Sequence, residues 1–182
     1  MDEWVERARA SWRWRGQGRP PFAEEPAPGQ ESVWDYPRPP RVEPVDRPVQ
    51  VEVGALVLAR SSRAVRVLET ASAPAIYLPM DDVEMRYLAR SSQGAVCEWK
   101  GRWVFWTVRA GERLIPHAAW SCTDPWPGYE ALADRLAFYP AKMDACWIGD
   151  QRAEPQPGGF YGGWVMPDIV GPIKGGPGTS GW

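Results

Sequence analysis

Residues 96–106 read VCEWKGRWVFW. Three tryptophans, a phenylalanine, two valines and a cysteine surround one glutamate, one lysine and one arginine. Glycine followed by a polar residue suits a two-residue hairpin turn, so the stretch predicts two strands joined at Gly101-Arg102. Successive side chains of a strand point to opposite faces. In that register Cys97, Trp99, Val104, Trp106 and Val108 form a wholly apolar face. Val96, Glu98, Lys100, Trp103, Phe105 and Thr107 form a mixed one, with a carboxylate and an ammonium two residues apart, about 7 Å. Such a face is either a solvent-facing surface with a weak exposed ion pair or the wall of a recess. In a recess the rings bury a ligand and a few polar groups orient it.

The same pattern recurs on both sides. VQVEV (49–53) alternates, and Gly54-Ala55 suits a second tight turn. AVRVLET (64–70), AIYLP (75–79) and LIPHAAW (114–120) continue as strands, and Gly149-Asp150 predicts a last hairpin. Two short helices are expected within this body. One lies at 81–89, opened by Asp81 and Asp82. The other lies at 128–137, where Tyr129, Leu132, Ala133 and Leu136 fall on one stripe. A further helix at 3–14 would dock through Trp4, Ala8 and Trp12, with Arg7, Arg9 and Arg13 off that stripe.

Residues 17–48 are proline-rich and read as an extended arm; YPRPPR (36–41) is a weak match to a proline-motif ligand, and Trp34 and Tyr36 suggest that the arm lies on the body. Residues 155–182 are rich in glycine and proline. Phe160, Tyr161, Trp164, Ile169, Ile173 and Trp182 give them more apolar area than a disordered tail carries, so a packed strap is expected. The organisation is therefore an N-terminal helix and arm (1–48), a β-rich core domain (49–154) and a C-terminal strap (155–182).

Composition narrows the function. Net charge is −2 and 44% of residues are hydrophobic, which argues against a nucleic-acid or polybasic membrane binder. No apolar run reaches the ~18 residues of a membrane span, and the first residues are no secretory signal, so a cytoplasmic protein, monomer or homodimer, is expected. Eighteen arginines against three lysines (Lys100, Lys142, Lys174), with abundant Pro, Ala and Gly, fit a GC-rich bacterial genome.

Cys97, Cys122 and Cys146 stand far apart without a CxxC pair, which predicts free thiols and no zinc site. His117 is the only histidine, and no nucleophile motif stands beside it. KGGPGTSGW (174–182) has its lysine before the glycines, so it is no phosphate loop. No metal and no cofactor are expected.

ESVWDYPRPPR (31–41), RVLET (66–70), YLP (77–79), CEWKG (97–101), AAWSC (118–122), AFYP (137–140), MDACW (143–147) and PQPGGFYGGWV through GTSGW together resemble domain-of-unknown-function family 427, in its longer bacterial subgroup. The resemblance spans nearly the whole chain, with a core near 49–149. It implies a mainly β fold of two antiparallel sheets leaning together in a β-tent, related to the Mss4-like group and the ligand-binding domain of cereblon. Several relatives pin the tent with zinc on two CxxC pairs, which this chain lacks. A nucleotidyltransferase label travels with the family, but no Gly-Ser loop followed by spaced aspartates supports it here. The resemblance also implies an aromatic cleft for a small molecule. Its polar positions are Glu69, Glu98, Lys100 and Asp144, joined by Tyr77, Trp120 and Tyr139, with Trp103 from the mixed face. These residues form either a structural ion network, Lys100 with Glu69 or Glu98, or a site where Lys100 meets a ligand anion between aromatic rings. The expected function is small-molecule binding. The alternatives are metal-independent acid–base catalysis in the same cleft and protein interaction through the arms.

Overall fold

A computed structural model describes residues 3–182. After one helix, α1 (Glu3–Ser11), come β1 (Glu31–Ser32), β2 (Arg41–Pro44), β3 (Val49–Val53), β4 (Leu56–Ser61), β5 (Val65–Leu68), β6 (Ala75–Pro79), β7 (Leu88–Cys97) and β8 (Gly101–Ala110). They are followed by β9 (Arg113–Pro125), β10 (Arg135–Phe138), β11 (Ala145–Ile148), β12 (Gln151–Arg152), β13 (Glu154–Pro155), β14 (Trp164–Val165) and β15 (Ile169–Val170). A seven-stranded antiparallel sheet has the order β2-β5-β6-β10-β9-β8-β7, and a four-stranded antiparallel sheet the order β12-β11-β3-β4. The fold is mainly β, with several antiparallel sheets and no closed barrel. Two small ribbons complete the pairing: β1 pairs with β15 in parallel, joining the two arms, and β13 with β14 antiparallel within residues 154–165.

Alternation sorts the large sheet into two apolar faces. Ile76, Leu78, Val108, Ala119, Leu136 and Phe138 pack with Val49, Val51, Leu58, Cys146 and Ile148 of the smaller sheet. Tyr77, Trp120, Cys122 and Ala137, their neighbours in sequence, point the other way into a second cluster with Val67, Trp99, Tyr129 and Leu132. A third cluster joins the chain's two ends: Val33, Trp34 and Tyr36 of the N-terminal arm pack with Leu68 and Ala71, flanked by Trp14, Ile173 and Trp182.

Four expectations are corrected. The 128–137 stripe is not a helix. Glu130–Leu132 is one 3-10 turn, Asp134 adopts φ 54°, and Arg135–Phe138 is a central strand. Leu132 and Leu136 fit a helical period yet lie in clusters on opposite faces of the sheet, because pairing of β10 to both β6 and β9 outweighs local periodicity. The 81–89 helix is two 3-10 turns (Met80–Asp82 and Met85–Tyr87). Asp82 accepts from Ser61 Oγ at 2.6 Å and pairs with Arg63, while the Glu84 N–H donates to the Leu58 carbonyl.

The hairpin turn at Gly101-Arg102 is also displaced. Cys97 pairs with Gly101, so Glu98, Trp99 and Lys100 form the turn. Gly101 serves a different need: at φ 119°, a Cβ there would stand 2.2 Å from the Asp124 carbonyl oxygen of the neighbouring strand. Cys97 and Trp99 consequently pack with Trp103 and Phe105 in the second cluster, opposite Trp106 and Val108.

The N-terminal helix is shorter and differently faced than its sequence suggests. Val5 is its buried residue, Trp4 is 41% exposed, and Trp12, just past the helix, packs on the second cluster. The hairpins at Gly54-Ala55 and Gly149-Asp150 form as expected.

Candidate functional site

The second face of the large sheet holds a cavity of about 450 Å³. Its floor is aromatic because β8, β9 and the segment after β10 each send rings to that face. Phe105 opposes Trp120 across β8 and β9. Trp103 and Trp120 stack at 6.0 Å between ring centroids, Trp120 and Tyr139 lie at 4.5 Å, and Phe105 and His117 stack at 5.0 Å. Tyr77, fully buried on β6, accepts a hydrogen bond from Trp120 Nε1 at 2.9 Å, and burial pushes its phenol well up. The strap, through Gly159–Gly163, borders the opening, where Phe160 is 77% exposed.

The polar end is built on Glu69, immediately after β5. Lys100 Nζ stands 3.0 Å from Glu69 Oε2, while Arg38 Nη2 and Lys174 Nζ lie 3.3 and 3.5 Å from Oε1. Lys100 is 7% exposed, and the side chains of Arg38 and Lys174 are almost wholly buried. Burial alone would raise the Glu69 carboxyl, but the charges of Lys100, Lys174 and Arg38 hold it at about 2. Burial opposes the Lys100 ammonium, yet Cys97, Glu69 and Tyr77 together hold it protonated well above the usual lysine range. Lys174 is shifted the other way, by burial first and then, against the pull of Glu69, by the Arg38 and Lys100 charges.

Glu98 is held apart from Lys100's carboxylate partner: its Oε1 accepts from Trp12 Nε1 at 2.6 Å. Trp12 is also the platform for two cations, with Arg38 at 4.1 Å and Lys174 at 4.8 Å from its ring. Arg9, expected off the docking stripe, in fact faces the body. Its Nε donates to the Glu98 carbonyl at 2.6 Å and its guanidinium lies over Trp99 and Trp126.

The structure thus brings Glu69, Tyr77, Glu98, Lys100, Trp103, Trp120 and Tyr139 to one cavity. Asp144 is elsewhere: it forms a half-exposed pair with Arg113 and accepts from the Gly54 N–H. Between the two pairings open to Lys100, the one with Glu69 forms.

Sequence reasoning missed Trp12, Arg38, Gln156, Tyr161 and Lys174. Arg38 sits in the segment read as a proline motif and Lys174 at the failed phosphate loop. One signal was present: in a chain that uses arginine almost everywhere, two of its three lysines meet one carboxylate. Among the described residues, no three His, Cys, Asp or Glu side chains cluster to hold a metal ion, and no helix is long and apolar enough to cross a membrane.

The sequence profile of a domain of unknown function, DUF427, matches residues 41–149. The chain belongs to this family. No curated protein matches it. The DUF427 region supplies the large sheet, the aromatic floor, Glu69, Glu98 and Lys100. Trp12, Arg38, Tyr161 and Lys174 come from the flanking arms.

Proposed function

We propose that this DUF427 protein is a small-molecule-binding module whose ligand occupies the cavity on the second face of the large sheet. The observation that carries the reading is the pairing of an aromatic floor with a buried charged end in one recess of about 450 Å³, within the size range of sites for small organic ligands. Two of the five unpaired buried polar side-chain atoms among the described residues point the same way. Trp103 Nε1 and Gln156 Oε1, both of cavity-lining residues, have no hydrogen-bond partner among the described residues, and such groups are normally satisfied.

The charge states favour binding over proton transfer. A carboxyl held near 2 and an ammonium raised well above its usual range are both far from the neutral pKa that general acid–base catalysis needs. The arms are packed against the body through Trp34 and Trp164, both buried, which supports a covering role rather than partner recruitment.

A thermal-shift screen of the full chain against a metabolite library tests the reading. Stabilising compounds should lose their effect in Trp103→Leu and Phe105→Ala, whose side chains line the cavity without being fully buried. Undiminished stabilisation in both variants would place the ligand elsewhere.

A further inference from the structure

The charges around Glu69 do not balance within the protein. Arg38, Lys100 and Lys174 surround it, and Glu98 is the other carboxylate of the group, reaching Arg38 and Lys174 through the shared Trp12 ring. With Arg9, whose Nε donates to the Glu98 carbonyl, positive groups outnumber negative ones four to two, in a region where buried ions need partners. The origin of each group matters. The DUF427-matched region contributes Glu69, Glu98 and Lys100, a net negative set, and the two arms add Arg38 and Lys174, which reverses the sign.

Hydrogen-bonding capacity is unbalanced in the same sense. An ammonium carries three N–H donors, whereas among the described residues Lys100 Nζ has Glu69 Oε2 as its one oxygen partner and Lys174 Nζ has Glu69 Oε1 at 3.5 Å. Beside Lys100, whose Nζ is 5.5 Å from the centre of the Trp103 ring, lies the unpartnered Trp103 Nε1 donor. Gln156, 3% exposed and lining the cavity, offers an acceptor, Oε1, without a donor.

From this juxtaposition we infer that the cavity takes a planar aromatic monocarboxylate, its carboxylate received by Lys100 and Trp103 Nε1 and its ring laid against Trp103, Phe105 and Trp120. The inference rests on the small-molecule reading above and adds the charge and chemical class of the ligand. One carboxylate supplies a negative charge against this positive excess. Its two oxygens can accept from Lys100 Nζ and Trp103 Nε1, and an N–H on the ring system can satisfy Gln156. Lys174, behind Glu69, does not line the cavity; it positions nothing on the ligand directly and acts through the charge it adds.

The test uses one ring with three charges: indole-3-acetate, indole-3-acetamide and tryptamine, titrated calorimetrically into the full chain at neutral pH. The carboxylate should bind about tenfold or more tighter than the amide, the margin of a charge-assisted over a neutral hydrogen bond, and the amine weakest. In Lys174→Met the carboxylate-to-amide ratio should fall severalfold while amide affinity holds, a change that simple loosening of the fold would not produce. Equal or better binding of the amide or the amine by the wild-type chain overturns the anion assignment and leaves the cavity reading standing. Absence of binding by all three overturns the inference, and the metabolite screen then decides the cavity reading separately. The wild-type series decides the matter even if Lys174→Met fails to fold.

Discussion

Replacing Glu69 by glutamine tests the electrostatic centre of the molecule. The substitution keeps the shape and removes the one charge that three buried cations share. In the folded chain the carboxyl sits at about 2, against an ordinary value of 4.5. With a side chain only 14% exposed, little of that interaction is screened by solvent. At 1.36 kcal/mol per unit, the depression corresponds to about 3 kcal/mol of stability at neutral pH, in the range of ~3–5 kcal/mol seen when one partner of a buried pair is removed. For a chain of this length that is a fall of about 6–12 °C in Tm.

The sign is fixed by the direction of the shift. A depressed carboxyl stabilises above the unfolded value and loses that contribution as pH drops toward the folded one. Between pH 6 and pH 3 the wild type should therefore lose about 2 kcal/mol through Glu69, and Glu69→Gln should lose nothing through this position. Urea unfolding of both proteins at pH 6 and pH 3 gives the double difference, with other carboxylates cancelling. A glutamine variant as stable as wild type at pH 6, or a gap unchanged at pH 3, would refute the cluster as described.

Gly162→Ala should destabilise by about 1–3 kcal/mol, measured by thermal unfolding, because the new Cβ would stand 2.2 Å from Trp120 Cη2 and 2.4 Å from Cζ3; faster proteolysis within 157–164 should accompany it as the strap lifts. Leu136→Ala should cost about 2–5 kcal/mol, since Leu136 is fully buried between the two sheets; a loss no greater than that of a surface substitution would contradict the central strand. Asp144→Ala should leave indole-3-acetate affinity unchanged by calorimetry, because Asp144 lies outside the cavity.

How much of this was legible beforehand follows the range of the interactions. β3 and its turn at Gly54 were readable because alternation and turn chemistry are local, and its burial alternates residue by residue. β10 was not. Four residues cannot display a period against a helical stripe, and what makes them a strand is pairing with β6 and β9, which sequence spacing does not reveal. The turn at 98–100 was displaced by one glycine with two meanings: Gly101 marks close approach to Asp124 on β9, not the reversal. At the site, the residues on or beside the body strands were legible as polar positions among apolar runs. Asp144 fitted that description too, yet it faces out, because polarity among apolar neighbours does not say which end of a sheet a side chain reaches. Arg38 and Lys174 lie 31 residues before Glu69 and 105 after it, in segments with no period at all.

Those segments make sense once the large sheet is seen to be apolar on both faces. The smaller sheet covers one. The other, bearing Tyr77, Trp120, Cys122 and Ala137, needs a cover thin enough to leave a recess, and chain without side chains at the contact provides it. A Cβ at Gly162 would enter the Trp120 ring, one at Gly163 would lie 2.1 Å from Gln156 Oε1, and one at Gly158 would lie 1.9 Å from the Gly175 carbonyl oxygen. The glycines are therefore conditions for close approach, and low complexity in the strap reflects packing rather than its lack. A cover drawn from both chain ends must also be fastened. Fastening Trp12, Arg38, Tyr161 and Lys174 around a carboxylate of the body places the arms' cations behind Glu69, which lines the recess. The same contacts that close the fold thus set the charge beside the cavity, which is why neither property could be read from the core strands alone.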